Sequence, residues 1–118
     1  MNKFLSPWIQ TTNRCNLQCG YCYLCQDKKD MDDNVYAATC EFLSRKIDEG
    51  FEVKLRIAGG EPTLTFKKWS KFFAPLVEKN GCSAEILTNL AIIPNGFVSF
   101  LESNLKFGVN VSLDSLSY

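Results

Sequence analysis

The stretch Ser6-Pro7-Trp8-Ile9-Gln10-Thr11-Thr12-Asn13-Arg14-Cys15-Asn16-Leu17-Gln18-Cys19-Gly20-Tyr21-Cys22 runs from an apolar, strand-like opening straight into three cysteines spaced Cys-x3-Cys-x2-Cys. Residues 6–12 read as a first strand, which puts the thiols in the loop that leaves it. Three thiolates in so tight a loop can ligate three irons of a 4Fe-4S cubane and leave the fourth open to a small molecule. Ferredoxin-type sites close all four irons with cysteine and only pass electrons. Zinc fits the same residues less well. Structural zinc sites bring Cys-x2-4-Cys pairs together from separate segments, and here the nearby thiols all lie between Cys15 and Cys25.

Downstream, strand and helix patterns alternate. Val35, Ala38, Phe42, Leu43 and Ile47 predict a helix over 33–49, ended by Gly50. Val53, Leu55 and Ile57 alternate in a second strand over 53–58. Thr65 is placed to cap a second helix with the stripe Trp69, Phe72, Phe73, Leu76 and Val77, and Gly81 to terminate it. These aromatics read as core rather than as a substrate platform. A short third strand over 85–88 follows, then a third helix opened by Pro94 and using Phe97, Val98, Leu101 and Leu105. A fourth strand over 109–113 completes the order βαβαβαβ. That order implies a parallel sheet with crossover helices packed outside it. In barrel-like sheets of this kind the chemistry gathers at the C-terminal strand ends. Four segments stand there: the cysteines, Gly59-Gly60-Glu61-Pro62, Thr88-Asn89 and Ser112-Leu113-Asp114-Ser115.

Composition narrows the chemistry. The chain has 118 residues, 13 basic and 13 acidic, and no histidine, so it holds no Ser-His-Asp or Cys-His pair and no histidine-ligated metal. Net neutrality argues against general nucleic-acid binding, and Lys67, Lys68 and Lys71 read as a solvated helix face. No apolar run reaches a membrane span, and Met1 to Pro7 is too short in its apolar part for a signal peptide. A cytoplasmic location is expected, where clustered cysteines more often mean metal than disulfide. Cys40 and Cys82 read as small buried hydrophobes. Cys25, which follows Cys22 at x2 spacing, is either incidental or an alternative ligand.

The segment Arg14 to Tyr23, with an aromatic residue before the third cysteine, resembles the cluster loop of the radical S-adenosylmethionine (radical SAM) enzymes. Gly59-Gly60-Glu61-Pro62, Thr88-Asn89 and Ser112 to Ser115 follow in the family's order. The resemblance implies an α/β partial (βα) barrel, of which 1–118 is the N-terminal part of the core domain, truncated after about four parallel strands. It implies a 4Fe-4S cluster on Cys15, Cys19 and Cys22, with S-adenosylmethionine bound at the open iron. One electron would then cleave the cofactor to a 5'-deoxyadenosyl radical that removes hydrogen from an unactivated C-H bond. The family would supply the electron through a flavodoxin or ferredoxin.

For S-adenosylmethionine the resemblance offers Tyr21, Gly59, Gly60, Glu61, Asn89, Ser112 and Asp114. Gly59 and Gly60 lack side chains and allow close backbone approach to the methionine amine, and Pro62 biases Glu61 towards an extended conformation. Tyr21 lies near the adenine or packs beneath the cluster. Ser112 and Asp114 meet the ribose or the methionine carboxylate, or else form a cap or Asx turn. Leu90 stands where the peptide-modifying branch commonly has glycine after Thr-Asn, which puts the local backbone in question. The residues around Cys15 and Gly59 look most like the sulfatase-maturase, peptide-modifying branch, which implies a peptide or protein substrate. Asn110 to Leu116 looks more like the molybdenum-cofactor cyclase branch, whose substrate is GTP. A third alternative is a non-catalytic iron-sulfur module with Cys25 on the fourth iron.

Overall fold

The computed structural model describes residues 3–12, 30–90 and 92–111. Strands β1 (Lys3–Leu5), β2 (Trp8–Gln10), β3 (Phe51–Ala58), β4 (Cys82–Thr88) and β5 (Phe107–Val111) alternate with helices α1 (Asp33–Asp48), α2 (Phe66–Val77) and α3 (Phe97–Ser103). The pairings among these strands are parallel: β1 and β2 both lie on β3, followed by β4 and β5. The strand expected over 6–12 is thus the shorter β2, and β1, which was not expected, precedes it. Proline has no amide to give to a ladder, and Pro7 lies in the break between the two. The register does not slip across the break, because Leu5 faces Val53 and Trp8 faces Arg56. The Arg56 amide still donates to the Pro7 carbonyl at 2.9 Å.

Alternation sends Val53, Leu55 and Ile57 of β3 and Cys82, Ala84 and Ile86 of β4 into one core with the helices. Trp69 and Phe73 of α2 are fully buried in it, as their stripe predicts. Helix α1 turns only part of the expected stripe inward: Leu43 and Ile47 face the core as expected, but Val35 and Phe42 do not. Tyr36 and Leu43 are buried with Cys40 and Ile47 beside them, while Val35 and Phe42 are 45% and 48% exposed. Asp32 caps α1 by accepting from the Val35 amide, and Gly50 follows its end at φ 100°.

Thr65 takes the expected N-cap position of α2, but its side chain makes no capping bond and its hydroxyl serves the strand ends instead. Other expected boundaries move. Gly81, at φ 90°, leads into β4 rather than closing α2. Pro94 lies before α3, whose first turn follows Gly96 at φ 84°. Phe97 and Phe100 face the core there, whereas Val98 and Leu105 are exposed. On the opposite side of the sheet, Lys54 pairs with Glu85 at 3.3 Å and Asn110 donates to Glu85 at 3.2 Å. Lys67, Lys68 and Lys71 are exposed, and Lys68 pairs with Asp33 of α1 at 2.6 Å.

Candidate functional site

The C-terminal ends of β2, β3 and β4 meet at one rim. From β2 the chain continues through Thr11 and Thr12, both buried. The Thr11 amide and hydroxyl donate to the Ala58 carbonyl at 2.9 and 3.1 Å, and the Gly60 amide donates to the Thr12 carbonyl at 2.8 Å. Gly59 has φ 144°, and a Cβ there would stand 2.5 Å from the Thr12 oxygen. Glycine at 59 is therefore required by the chain's own backbone, a nearer cause than the approach of a ligand. Glu61 is extended at φ −137°, as a residue before proline should be. The turn Pro62–Thr65 is a 3-10 helix, held by Trp69 Nε1 donating to the Pro62 carbonyl at 2.8 Å.

Thr12 also fixes the loop that leaves it. Its hydroxyl donates to Asp30 Oδ1 at 2.6 Å, the Met31 amide donates to the Thr11 carbonyl at 2.8 Å, and residues 12 and 30 form an antiparallel bridge. Segment 13–29 thus departs and returns at adjacent points beside Gly59 and Gly60. The expected ligands Cys15, Cys19 and Cys22, together with Cys25 and Tyr21, lie outside the described residues, as do Ser112, Asp114 and Ser115.

The expected cofactor residues that are described come together. Glu61, only 1% exposed, accepts from the Thr63 amide at 3.0 Å, the Thr63 hydroxyl at 2.6 Å, the Asn89 amide at 2.9 Å and the Thr88 hydroxyl. Its carboxylate is directed at the protein and bridges the ends of β3 and β4. Asn89 is half-buried at that junction. Leu90 holds φ 55°, the left-handed backbone that glycine favours, and its amide donates to the Thr88 hydroxyl at 3.0 Å. The backbone therefore accommodates leucine at the position where glycine was expected.

Sequence reasoning missed Thr11, Thr12, Asp30, Thr63 and Thr65 as rim residues. The paired threonines immediately before the cysteine loop were the available signal. Thr65 Oγ1 lies 3.0 Å from Thr11 Oγ1 and 3.2 Å from the Pro62 carbonyl, so it joins β2 to the 3-10 turn. The thiols of Cys40 and Cys82 sit elsewhere, in the core between α1, α2 and β4; burial pushes Cys40 up to about 11 and raises Cys82 too. Both are therefore held as thiols, in keeping with the packing role expected of them.

No family model matches the chain. A GTP 3',8-cyclase of Campylobacter fetus subsp. fetus is 31% identical over 113 residues, spanning 92% of this chain and 34% of that protein. Native anSMEcpe with bound AdoMet and Kp18Cys peptide matches with a TM-score of 0.69 at 29% identity, over 92% of this chain and 31% of that one. The chain is a relative of the radical SAM enzymes. Streptococcus suis SuiB bound to precursor peptide SuiA, at 23% identity and a TM-score of 0.65 over 93% of this chain and 24% of that one, has the same radical SAM fold. The chain spans about a third of the length of the curated relatives it matches. Radical SAM enzymes use a 4Fe-4S cluster and S-adenosylmethionine, and the α/β architecture and parallel strand order agree with their barrel. No helix among the described residues is long and apolar enough to cross a membrane.

Proposed function

We propose that this chain is the N-terminal part of a radical SAM core that holds a 4Fe-4S cluster through Cys15, Cys19 and Cys22 and binds S-adenosylmethionine along the rim of Gly59, Gly60 and Asn89. The supporting observation is that Thr12 at the foot of the cysteine loop, Gly60, and Asn89 through Glu61 belong to one hydrogen-bonded rim. The fit of the cluster rests on donor chemistry: three thiols in one loop whose two feet are paired. When bound, the cluster supplies the electron for reductive cleavage of S-adenosylmethionine. The protein's part is to orient and to exclude water. Gly59 and Gly60 present backbone without side chains, and Thr11, Thr12 and Thr65 close the floor beneath them.

The substrate we propose is a peptide or protein, with a flavodoxin or ferredoxin as electron donor. The solved peptide complex of anSMEcpe supports this reading. Similarity to GTP 3',8-cyclase favours a second one, in which the substrate is GTP. Ser112 and Asp114 belong to the proposed cofactor set for the ribose or carboxylate, and Tyr21 for the adenine.

Anaerobic reconstitution tests the centre. The wild type and Cys25→Ala should take up about four irons per chain, and alanine at Cys15, Cys19 or Cys22 should lose them. Adding S-adenosylmethionine should change the electron paramagnetic resonance signal of the reduced cluster. An unchanged signal would favour a fully ligated electron-transfer centre with Cys25 on the fourth iron. Gly60→Val should keep the cluster and weaken cofactor binding. Formation of 5'-deoxyadenosine stimulated by a cysteine-containing peptide supports the first substrate class; stimulation by GTP supports the second.

A further inference from the structure

We propose that Glu61 is a positioning residue, a buried clamp that sets the spacing of the Gly59-Gly60 and Thr88-Asn89 rims and thereby the affinity for S-adenosylmethionine, without touching the cofactor. This rests on the radical SAM reading. Three observations lead to it. The side chain is 1% exposed, which leaves it no surface for a ligand. Its four hydrogen bonds join residues of different elements: Thr63 in the 3-10 turn, and Thr88 and Asn89 at the end of β4, 27 and 28 positions away in sequence. Among the described residues its donors are all neutral, two hydroxyls and two amides, and no lysine or arginine pairs with it. Such burial is costly, and a packed apolar residue could fill the space without that cost. What an apolar residue could not do is hold two rims at a fixed separation by directional bonds.

The bonding also reaches beyond Asn89. The Thr88 hydroxyl gives its hydrogen to Glu61 and accepts the Leu90 amide at 3.0 Å, so the left-handed turn at Leu90 is held through the same carboxylate. Each oxygen of Glu61 accepts one backbone N–H, Thr63 at Oε2 and Asn89 at Oε1. Glutamine at this position would face one of those donors with its own NH2 whichever way the amide is turned. Glu61→Gln is thus nearly isosteric and still breaks the clamp.

The test compares reconstituted wild type, Glu61→Gln, Thr88→Val and Thr88→Ser, all well below their melting temperatures. Iron content, S-adenosylmethionine affinity by calorimetry, and amide exchange at Thr63 and Asn89 are the measurements. Glu61→Gln should keep its cluster, bind S-adenosylmethionine about tenfold more weakly, and exchange at least one of the two amides faster while β4 core amides stay protected. Thr88→Val should weaken binding about threefold, and Thr88→Ser, which restores the hydroxyl, should recover it. If Glu61→Gln does not fold, the Thr88 pair decides. Variants that melt earlier but bind S-adenosylmethionine as the wild type does would overturn the positioning role alone. A wild type with a full cluster and no S-adenosylmethionine binding would sink the functional reading, and this role with it.

Discussion

Leu90 carries a side chain at φ 55° and is partly buried against the core. Alanine there would give up the packing and keep the strain, whereas glycine would give up both. We therefore expect Leu90→Gly to be more stable than Leu90→Ala by about 1 kcal/mol, the reverse of the order in a helix, as measured by urea midpoints. Gly59 presents the opposite case. A methyl group would meet the Thr12 oxygen at 2.5 Å in a backbone region closed to other residues, so Gly59→Ala should cost about 2 kcal/mol or more in the same assay. Tyr36 is fully buried, and its hydroxyl lies near Thr65 without a well-formed hydrogen bond. Burial pushes its pKa up to about 12, opposed by the Thr65 side chain. Its ring stacks on Phe72 at 5.0 Å and meets Phe73 edge-on, contacts that phenylalanine would keep. Tyr36→Phe should change stability by less than about 1 kcal/mol, because the hydroxyl removed is buried with no more than a poorly aligned contact to Thr65; a larger loss would mean a full hydrogen bond, to Thr65 or to a water.

Helix α1 marks where periodicity stops being decisive. Two stripes fit its length: Val35, Ala38 and Phe42 on one side, and Tyr36, Cys40, Leu43 and Ile47 on the other. The second faces the sheet. Tyrosine and cysteine score as weakly apolar in a sequence pattern, yet Tyr36 fills the aromatic layer against Phe72 and Phe73. Leu43→Ala should accordingly cost about 2–4 kcal/mol, while Phe42→Ala, at an exposed ring, should cost well under half as much in thermal melts. The strand order and the placing of Gly59, Gly60 and Asn89 on one rim were legible because alternation and crossover rules fix which strand ends coincide. The 3-10 turn, the division at Pro7 and the threonine bonds were not. Hydrogen bonds between residues as far apart as Glu61 and Asn89, or Thr11 and Thr65, have no period for a sequence pattern to reveal.

At the scale of the whole molecule the sheet has two chemically distinct faces, an aromatic one beneath the helices and a charged one carrying Lys54, Glu85 and Asn110. The amide of Asn110 chiefly, aided by Lys54 and opposed by slight burial, holds the Glu85 carboxyl below its usual range. A depressed carboxylate stabilises the fold above its unfolded pKa and ceases to as pH falls through its folded one. Glu85→Gln should thus be less stable than wild type by about 0.5–1 kcal/mol at neutral pH, and the gap should close below about pH 4.3 in denaturation curves taken across the acid range. The bridge between Thr12 and Asp30 has a different consequence. Since the sheet ties off both ends of segment 13–29 by its own bonds, that segment is an interchangeable cassette as far as folding is concerned. Changing its length should be thermodynamically mild, about 0.6 kcal/mol per doubling. Evolution, or a designer, can thus rewrite the cysteine-bearing segment without renegotiating the architecture that receives it.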